Sequence, residues 1–289
     1  MSNARSAIWP ALAAAALFGA STPLVKLLVG ELPTLLLAGL LYLGSGLGLA
    51  AIRLLRDRRW RPSGLAPGEW RWLAGAIVFG GLLGPVLLVF GLSHTDAGVA
   101  SLMLNLEAVL TAVLAWVIFK ENADRRIVLG MLLIVAGGAV LAWPSATSEY
   151  PDWIGPLAIA GACLCWAIDN NLTRKVSLTD ATWIAAVKGM AAGSVNLFLA
   201  FALGSQLPTW PITATAMVVG FFAYGVSLVL FVVGMRHLGT ARTGAYFSVA
   251  PFFGAILALA SGEPLTLRLP PIATNVVRRR RRRQSAAAR

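Results

Sequence analysis

Nine apolar runs, each about as long as a bilayer is thick, constrain this chain more than any motif in it. They lie near 8–29, 33–53, 72–92, 97–119, 126–143, 153–173, 181–203, 212–235 and 241–261. About twenty apolar residues in a helix cross the hydrocarbon layer. Lipid offers no partner for backbone N–H and C=O groups, so an open-ended spanning segment must be a helix. Only 12% of the 289 residues are charged, against about 25% in a soluble domain. The expected fold class is therefore all-α and integral to the membrane. The first run is too long for a signal h-region and has no small-residue cleavage site after it.

The first half of the chain recurs imperfectly in the second. Gly-Leu-Ser-His at 91–94 reappears as Gly-Met-Arg-His at 234–237, and each copy leads through an apolar stretch to a glutamate, Glu121 or Glu263. Arg126 and Arg268 follow those glutamates at equal distance, and residues 17–26 align with 165–174. An odd number of spans per unit inserts the second copy upside down, which is the pattern of transporters built from inverted repeats. The expected units are 8–143, with five spans, and 153–268, with four. Gly44-x-x-x-Gly48 and Gly189-x-x-x-Gly193 fall at matching places, with Gly80-x-x-x-Gly84 in the third run, and predict close helix contacts shared by the two units.

Arg53, Arg56, Arg58, Arg59, Arg61 and Arg71 crowd the linker after the second run. The positive-inside rule makes that loop and the N-terminus cytoplasmic. Lys120, Arg125, Arg126, Arg174, Lys175, Arg236 and Arg242 then fall on the same side, and Asp96, Glu149 and Asp152 on the other. The formal charge of +12 is mostly a property of the tail, where Arg278 to Arg283 and Arg289 stand; up to Arg268 the balance is +5. No nucleic-acid partner is expected from it. The segment 269–289 does not continue the repeat: a Pro-Pro pair and six arginines stand where a tenth span belongs. It reads as a change of frame or gene model near residue 269, or else as a basic tail for anionic headgroups.

The carriers of a family resemblance are now on the page. Gly91, His94 and Ala97 lead into Leu-Asn-Leu-Glu-Ala-Val-Leu-Thr (104–111), followed by Glu121-Asn122, Arg125-Arg126 and Gly130. The second half contributes Cys-Trp-Ala-Ile (165–168), Ala-Pro-Phe-Phe-Gly (250–254) and Gly-Glu-Pro-Leu-Thr (262–266). Over residues 8 to 268 the chain resembles the drug/metabolite transporter superfamily, EamA type. The resemblance implies ten helices in two inverted five-helix units around a cavity open alternately to each side, with the tenth helix missing or altered here.

Glu107, near the middle of the fourth run, is the leading candidate for a substrate or proton contact. A charge at the bilayer centre costs about 2.5–3.5 kcal/mol on insertion scales, so one kept there points to function. The alternative is a hydrogen-bonded structural glutamate. Asp169, Asn170 and Asn171 form a polar cluster in the inner third of the sixth run, either for a polar substrate or merely near the boundary. Lys188 is a partner for Asp169 or Glu107, or a snorkelling lysine. Trp166, Tyr224, Tyr246 and Ser248 are candidates to line a cavity. Glu121 and Glu263 read as helix caps or loop ties, His94 and His237 as repeated structural turns, and Lys26 as snorkelling. Cys163 and Cys165 sit two apart on one helix and read as inert packing, with no metal site.

No P-loop, HExxH or GxSxG motif is present, so neither a cofactor nor catalysis is expected. The function expected is secondary transport of small metabolites or drugs through the inner (plasma) membrane by alternating access, coupled to protons and directed as efflux. The rival is a non-transporting scaffold or an inactive truncated transporter. The partners are a small-molecule substrate and the lipid bilayer, with a homodimer left open.

Overall fold

A computed structural model of the chain describes residues 2–29, 32–58, 64–94, 103–121 and 153–250, with positions 125, 128–130, 132, 133, 253 and 257. Glu263, Arg268, the tail, most of the fifth run, Arg59, Arg61, Asp96, Arg126, Glu149, Asp152 and the Lys26 side chain lie outside the described residues.

The described chain is helical and, among the described residues, has no strand. Helix α1 is Ser2–Val29, α2 is Thr34–Asp57, α3 is Trp70–Ala76 and α4 is Gly84–Ser93. Helix α5 is Leu106–Val117, α6 is Ile154–Val176 and α7 is Ala181–Ala202. Helices α8, Trp210–Gly220, α9, Ser227–Leu238, and α10, Thr240–Phe247, complete the order. Among the described residues, four stretches are long and apolar enough to cross a bilayer: Thr34–Asp57, Pro67–Leu88, Ala181–Ala202 and Trp210–Leu238. Helix α6 is 23 residues long but carries Asp169, Asn170, Asn171, Arg174 and Lys175 in its last third.

The helices pair reciprocally between the two halves. The second helices of each half, α2 and α7, make the most extensive contact of all. The first helix of each half lies against the third span of the other: α1 against α9, and α6 against α3 and α4. The fourth spans, α5 and α10, lie against each other. Such exchange is what a two-fold axis in the membrane plane imposes on inverted repeats.

The glycine motifs do not pack alike, contrary to the sequence expectation. Gly189 and Gly193 face α2 at Gly46 and Leu43, whereas Gly44 and Gly48 face Met217 and Phe221 of the eighth span. A Cβ on Gly189 would stand 2.6 Å from Gly46 N and 2.8 Å from Tyr42 O. The crossing of α2 and α7 therefore depends on missing side chains, and sequence spacing alone could not tell which helix each pair would meet.

The third span of each half is not a continuous α-helix. Ile77–Leu83 and Phe221–Val226 are π-helical, and each ends eleven residues before the repeated histidine. The fourth span is also interrupted at equivalent places. Turns at Leu104–Asn105 and Ser248–Val249 lie ten to twelve residues past that histidine. Within that fourth run, Glu107 stands in the first turn of α5, where the helix dipole favours a carboxylate.

Ion pairs lock one end of the α2–α7 crossing. Asp180 caps α7, accepting from Thr182 N at 2.9 Å and Trp183 N at 3.3 Å. Its other oxygen pairs with Arg56 and, at 3.5 Å, with Arg53. Partial burial acts to raise the Asp180 pKa, but the Arg56 hydrogen bond and the capping N–H groups outweigh it and hold the carboxyl below its usual range.

Two outcomes follow for stability. Gly189→Val forces α2 and α7 apart and costs about 1–3 kcal/mol, read as a lower melting temperature, while Gly68→Ala, at a position with open space around it, does not. A depressed acid contributes stability above its unfolded pKa and loses it as pH falls through the folded value. Asp180→Asn therefore melts lower than wild type at neutral pH, and the gap closes below about pH 4 in a melting series against pH.

Candidate functional site

Helix α6 carries the polar side chains to the junction of the two halves. Its three consecutive polar residues are not one cluster. A helix turns them about 100° apart: Asp169 meets α7, while Asn170 and Asn171 both meet α5 at Thr111. Asp169 accepts from Lys188 Nζ at 2.5 Å and from Thr173 Oγ1 at 2.9 Å. Lys188 also donates to Thr173 Oγ1 at 3.0 Å, closing a triangle. Asn170 Nδ2 donates to Glu107 Oε1 at 2.9 Å and to Thr111 Oγ1 at 3.2 Å, both on α5. Asn171 Nδ2 donates to Thr111 O at 3.0 Å and Ala167 O at 2.9 Å.

Lys188 thus does not snorkel. It is 7% exposed and paired with Asp169, itself 9% exposed, so the two charges neutralise each other in place. Glu107 is half-buried and is met by an amide rather than a cation. The electrostatic character of the junction is therefore a neutral pair beside a carboxylate.

Trp166 lies one turn before this group, but its indole is committed to the backbone. Its Nε1 donates to Gly80 O at 3.1 Å, and Asn196 Nδ2 on α7 donates to Gly81 O at 3.0 Å. The local sequence explains both. Gly84 N–H bonds Phe79 O in the π register, and Pro85 has no N–H, so Gly80 and Gly81 lose their α-helical partners. In lipid such carbonyls must be met by protein. Gly80 also makes room for Asp169: a Cβ there would overlap its carboxylate.

An aromatic wall adjoins these groups. Tyr42 and Tyr224 have ring centroids 5.4 Å apart, Phe18 and Tyr224 5.5 Å, and Phe18 and Phe247 5.3 Å. Tyr42 packs where α2 meets Gly189, the residue after Lys188: a Cβ on Gly189 would stand 2.8 Å from Tyr42 O. Tyr246 is half-buried on α10, and no hydrogen bond among the described residues joins its side chain to Glu107 or Asp169.

At the edge of the junction, Glu121 accepts from Thr240 N at 3.0 Å and Ala241 N at 3.3 Å, capping α10 across the halves. Gly239, at φ +82°, makes the turn beneath it. Both cysteines are buried and free, and among the described residues no three His, Cys, Asp or Glu converge as a metal needs.

The sequence analysis did not single out Thr111, Thr173, Asn196 or Tyr42. Pro85 was the available signal for Asn196, since a proline within a span orphans the carbonyl four residues earlier. The matching π segment, Phe221–Val226, contains no proline, and nothing in its residues marks it.

The profile of the EamA-like transporter family matches residues 5–143 and 153–270. An uncharacterized transporter of Methanothermobacter thermautotrophicus is 26% identical over 270 residues, covering 86% of this chain and 78% of that protein. The uncharacterized transporter YvbV of Bacillus subtilis is 26% identical over 259 residues, covering 88% and 83%. A probable 4-amino-4-deoxy-L-arabinose-phosphoundecaprenol flippase subunit, ArnE of Pseudomonas aeruginosa, is 39% identical over 110 residues, 38% of this chain and 91% of its own length. One crystal structure superposes with a TM-score of 0.75 at 20% identity, covering 93% of this chain and 94% of that one, and so shares the fold. The chain belongs to the EamA-like transporter family and is a multi-pass membrane transporter.

Asp169→Asn leaves the Lys188 ammonium buried without its counter-charge and destabilises the protein by about 3–5 kcal/mol. Adding Lys188→Met removes the stranded charge and restores most of the loss. A double-mutant cycle on melting in detergent measures this coupling.

Proposed function

We propose that this EamA-family transporter exports a small polar metabolite or drug across the plasma membrane by alternating access, with Glu107 taking up and releasing a proton in the cycle. The observation that carries the reading is the Glu107–Asn170 hydrogen bond, which joins α5 of the first half to α6 of the second. A carboxylate held across the seam of two units feels any rocking of one against the other. The moving units are 8–143 and 153–268, the N-terminus is cytoplasmic by the arginine bias of the α2–α3 linker, and no nucleotide motif supplies energy. Glu107, Asp169, Asn170, Asn171, Lys188, Trp166 and Tyr246 make up the substrate and proton pathway. Trp166 acts through the Gly80 backbone, and the protein performs no chemistry on its cargo.

The likeness to ArnE favours a second reading, in which the cargo is a polyprenyl-linked amino sugar turned over between leaflets. The two readings separate by cargo: one moves a water-soluble compound between compartments, the other moves a lipid-linked compound within the bilayer.

In proteoliposomes of the full chain, an imposed pH gradient accelerates substrate flux. Glu107→Gln removes that response and lowers flux by about tenfold or more, the worth of a charged hydrogen bond. Flux with an unchanged gradient response in a folded Glu107→Gln protein removes Glu107 from the mechanism.

A further inference from the structure

Asn170 determines what the Glu107 site has left to offer. Its amide nitrogen has two N–H groups, and both are used, one on Glu107 Oε1 and one on Thr111 Oγ1. An ionised carboxylate only accepts hydrogen bonds, so the nitrogen must be the atom that faces it. The Asn170 carbonyl Oδ1 then faces away from both. Among the described residues, neither Asn170 Oδ1 nor Glu107 Oε2 has a donor, and both side chains are half-buried. Asn171 Oδ1, at the next position of α6, is also buried without a hydrogen-bond partner among the described residues.

The cation that shares the junction cannot balance this. Lys188 already donates to Asp169 and to Thr173. The open groups are thus acceptors with one negative charge, and the aromatic rings come up to them along α10: a Cβ on Gly244 would stand 3.7 Å from Thr111 Cγ2, and Phe247, one turn further on, meets Phe18, which meets Tyr224.

We propose that the site binds a primary-amine cation with an apolar body and no carboxylate. The ammonium donates to Glu107 Oε2 and Asn170 Oδ1, and the apolar body rests on the aromatic wall, where burial against the rings favours it. Asn170 is a binding residue and also the positioning residue for Glu107. A free amino acid fits poorly, because its carboxylate would face Glu107 and Asp169. Recruiting Lys188 to meet it would strand Asp169 buried and unpaired. The proposal rests on the reading of Glu107 as a substrate contact and adds the chemistry of the cargo.

The test uses the full chain in nanodiscs and three ligands that share one ring: tryptamine, tryptophan and indole-3-propionate, with binding measured by calorimetry. Tryptamine should bind, with tryptophan about tenfold weaker or worse and indole-3-propionate weaker still. Glu107→Gln should weaken tryptamine by about tenfold or more. Asn170→Leu, a second variant should the first fail to melt cooperatively, should weaken it as well. Tryptophan or indole-3-propionate binding as tightly as tryptamine overturns the proposal, as does tryptamine affinity unchanged in a folded Glu107→Gln or Asn170→Leu protein. Failure of tryptamine, phenethylamine and putrescine all to bind overturns it too. Flux of an anionic or zwitterionic cargo that depends on Glu107 would overturn the amine while keeping the transporter reading. Absence of flux for every cargo would instead overturn that reading.

Discussion

A carbonyl freed from its helix inside lipid has no water to turn to, and the arrangement of this protein follows from where such groups find donors. The third span of the first half breaks its register at Ile77–Leu83, ahead of Pro85. The two carbonyls released there are met by Trp166 and Asn196, both from the second half. The start of α10, in the second half, is capped by Glu121 from the first. Each half supplies polar groups that the other needs, so neither completes its backbone hydrogen bonding alone. This mutual repair brings α5, α6 and α7 together, and the charged residues with them.

The charges at that junction are unequal in consequence. Asp169 and Lys188 are buried and satisfy each other, with Thr173 bridging them. A pair of this kind adds little net stability but is costly to break, which suits it to fixing the relative height of α6 and α7. Among the described residues, Glu107 is met by the Asn170 amide, which also donates to the Thr111 hydroxyl. The proposed mechanism uses the carboxylate that no cation meets among the described residues.

The two halves share interruptions more faithfully than they share side chains. The π segments and the turns in the fourth spans stand at matching distances from the repeated histidines, whereas the position matching Glu107 falls at Ala250-Pro251. Broken spans at corresponding places mark the substrate region in transporters built from repeats. Here the scaffold is symmetric and the chemistry is one-sided. In the proposed site the charge comes from the first half, at Glu107, and the amides from the second, at Asn170 and Asn171.

The apolar runs, the repeat and the charge bias were legible because they are local or periodic, and lipid permits only one response to them: helices, crossing in antiparallel copies. Glu107 and the α6 polar residues also stood out, since a polar residue in an apolar run is conspicuous by itself. What the sequence could not decide was direction. Whether Lys188 reaches the surface or Asp169, which helix Gly44 and Gly189 each touch, and where the Trp166 indole donates depend on rotations of helices that are apolar nearly all round. Only tertiary contact sets those rotations. It does so through shape at the glycines and unmet carbonyls at Gly80 and Gly81, two features that no stretch of chain displays until another helix lies against it.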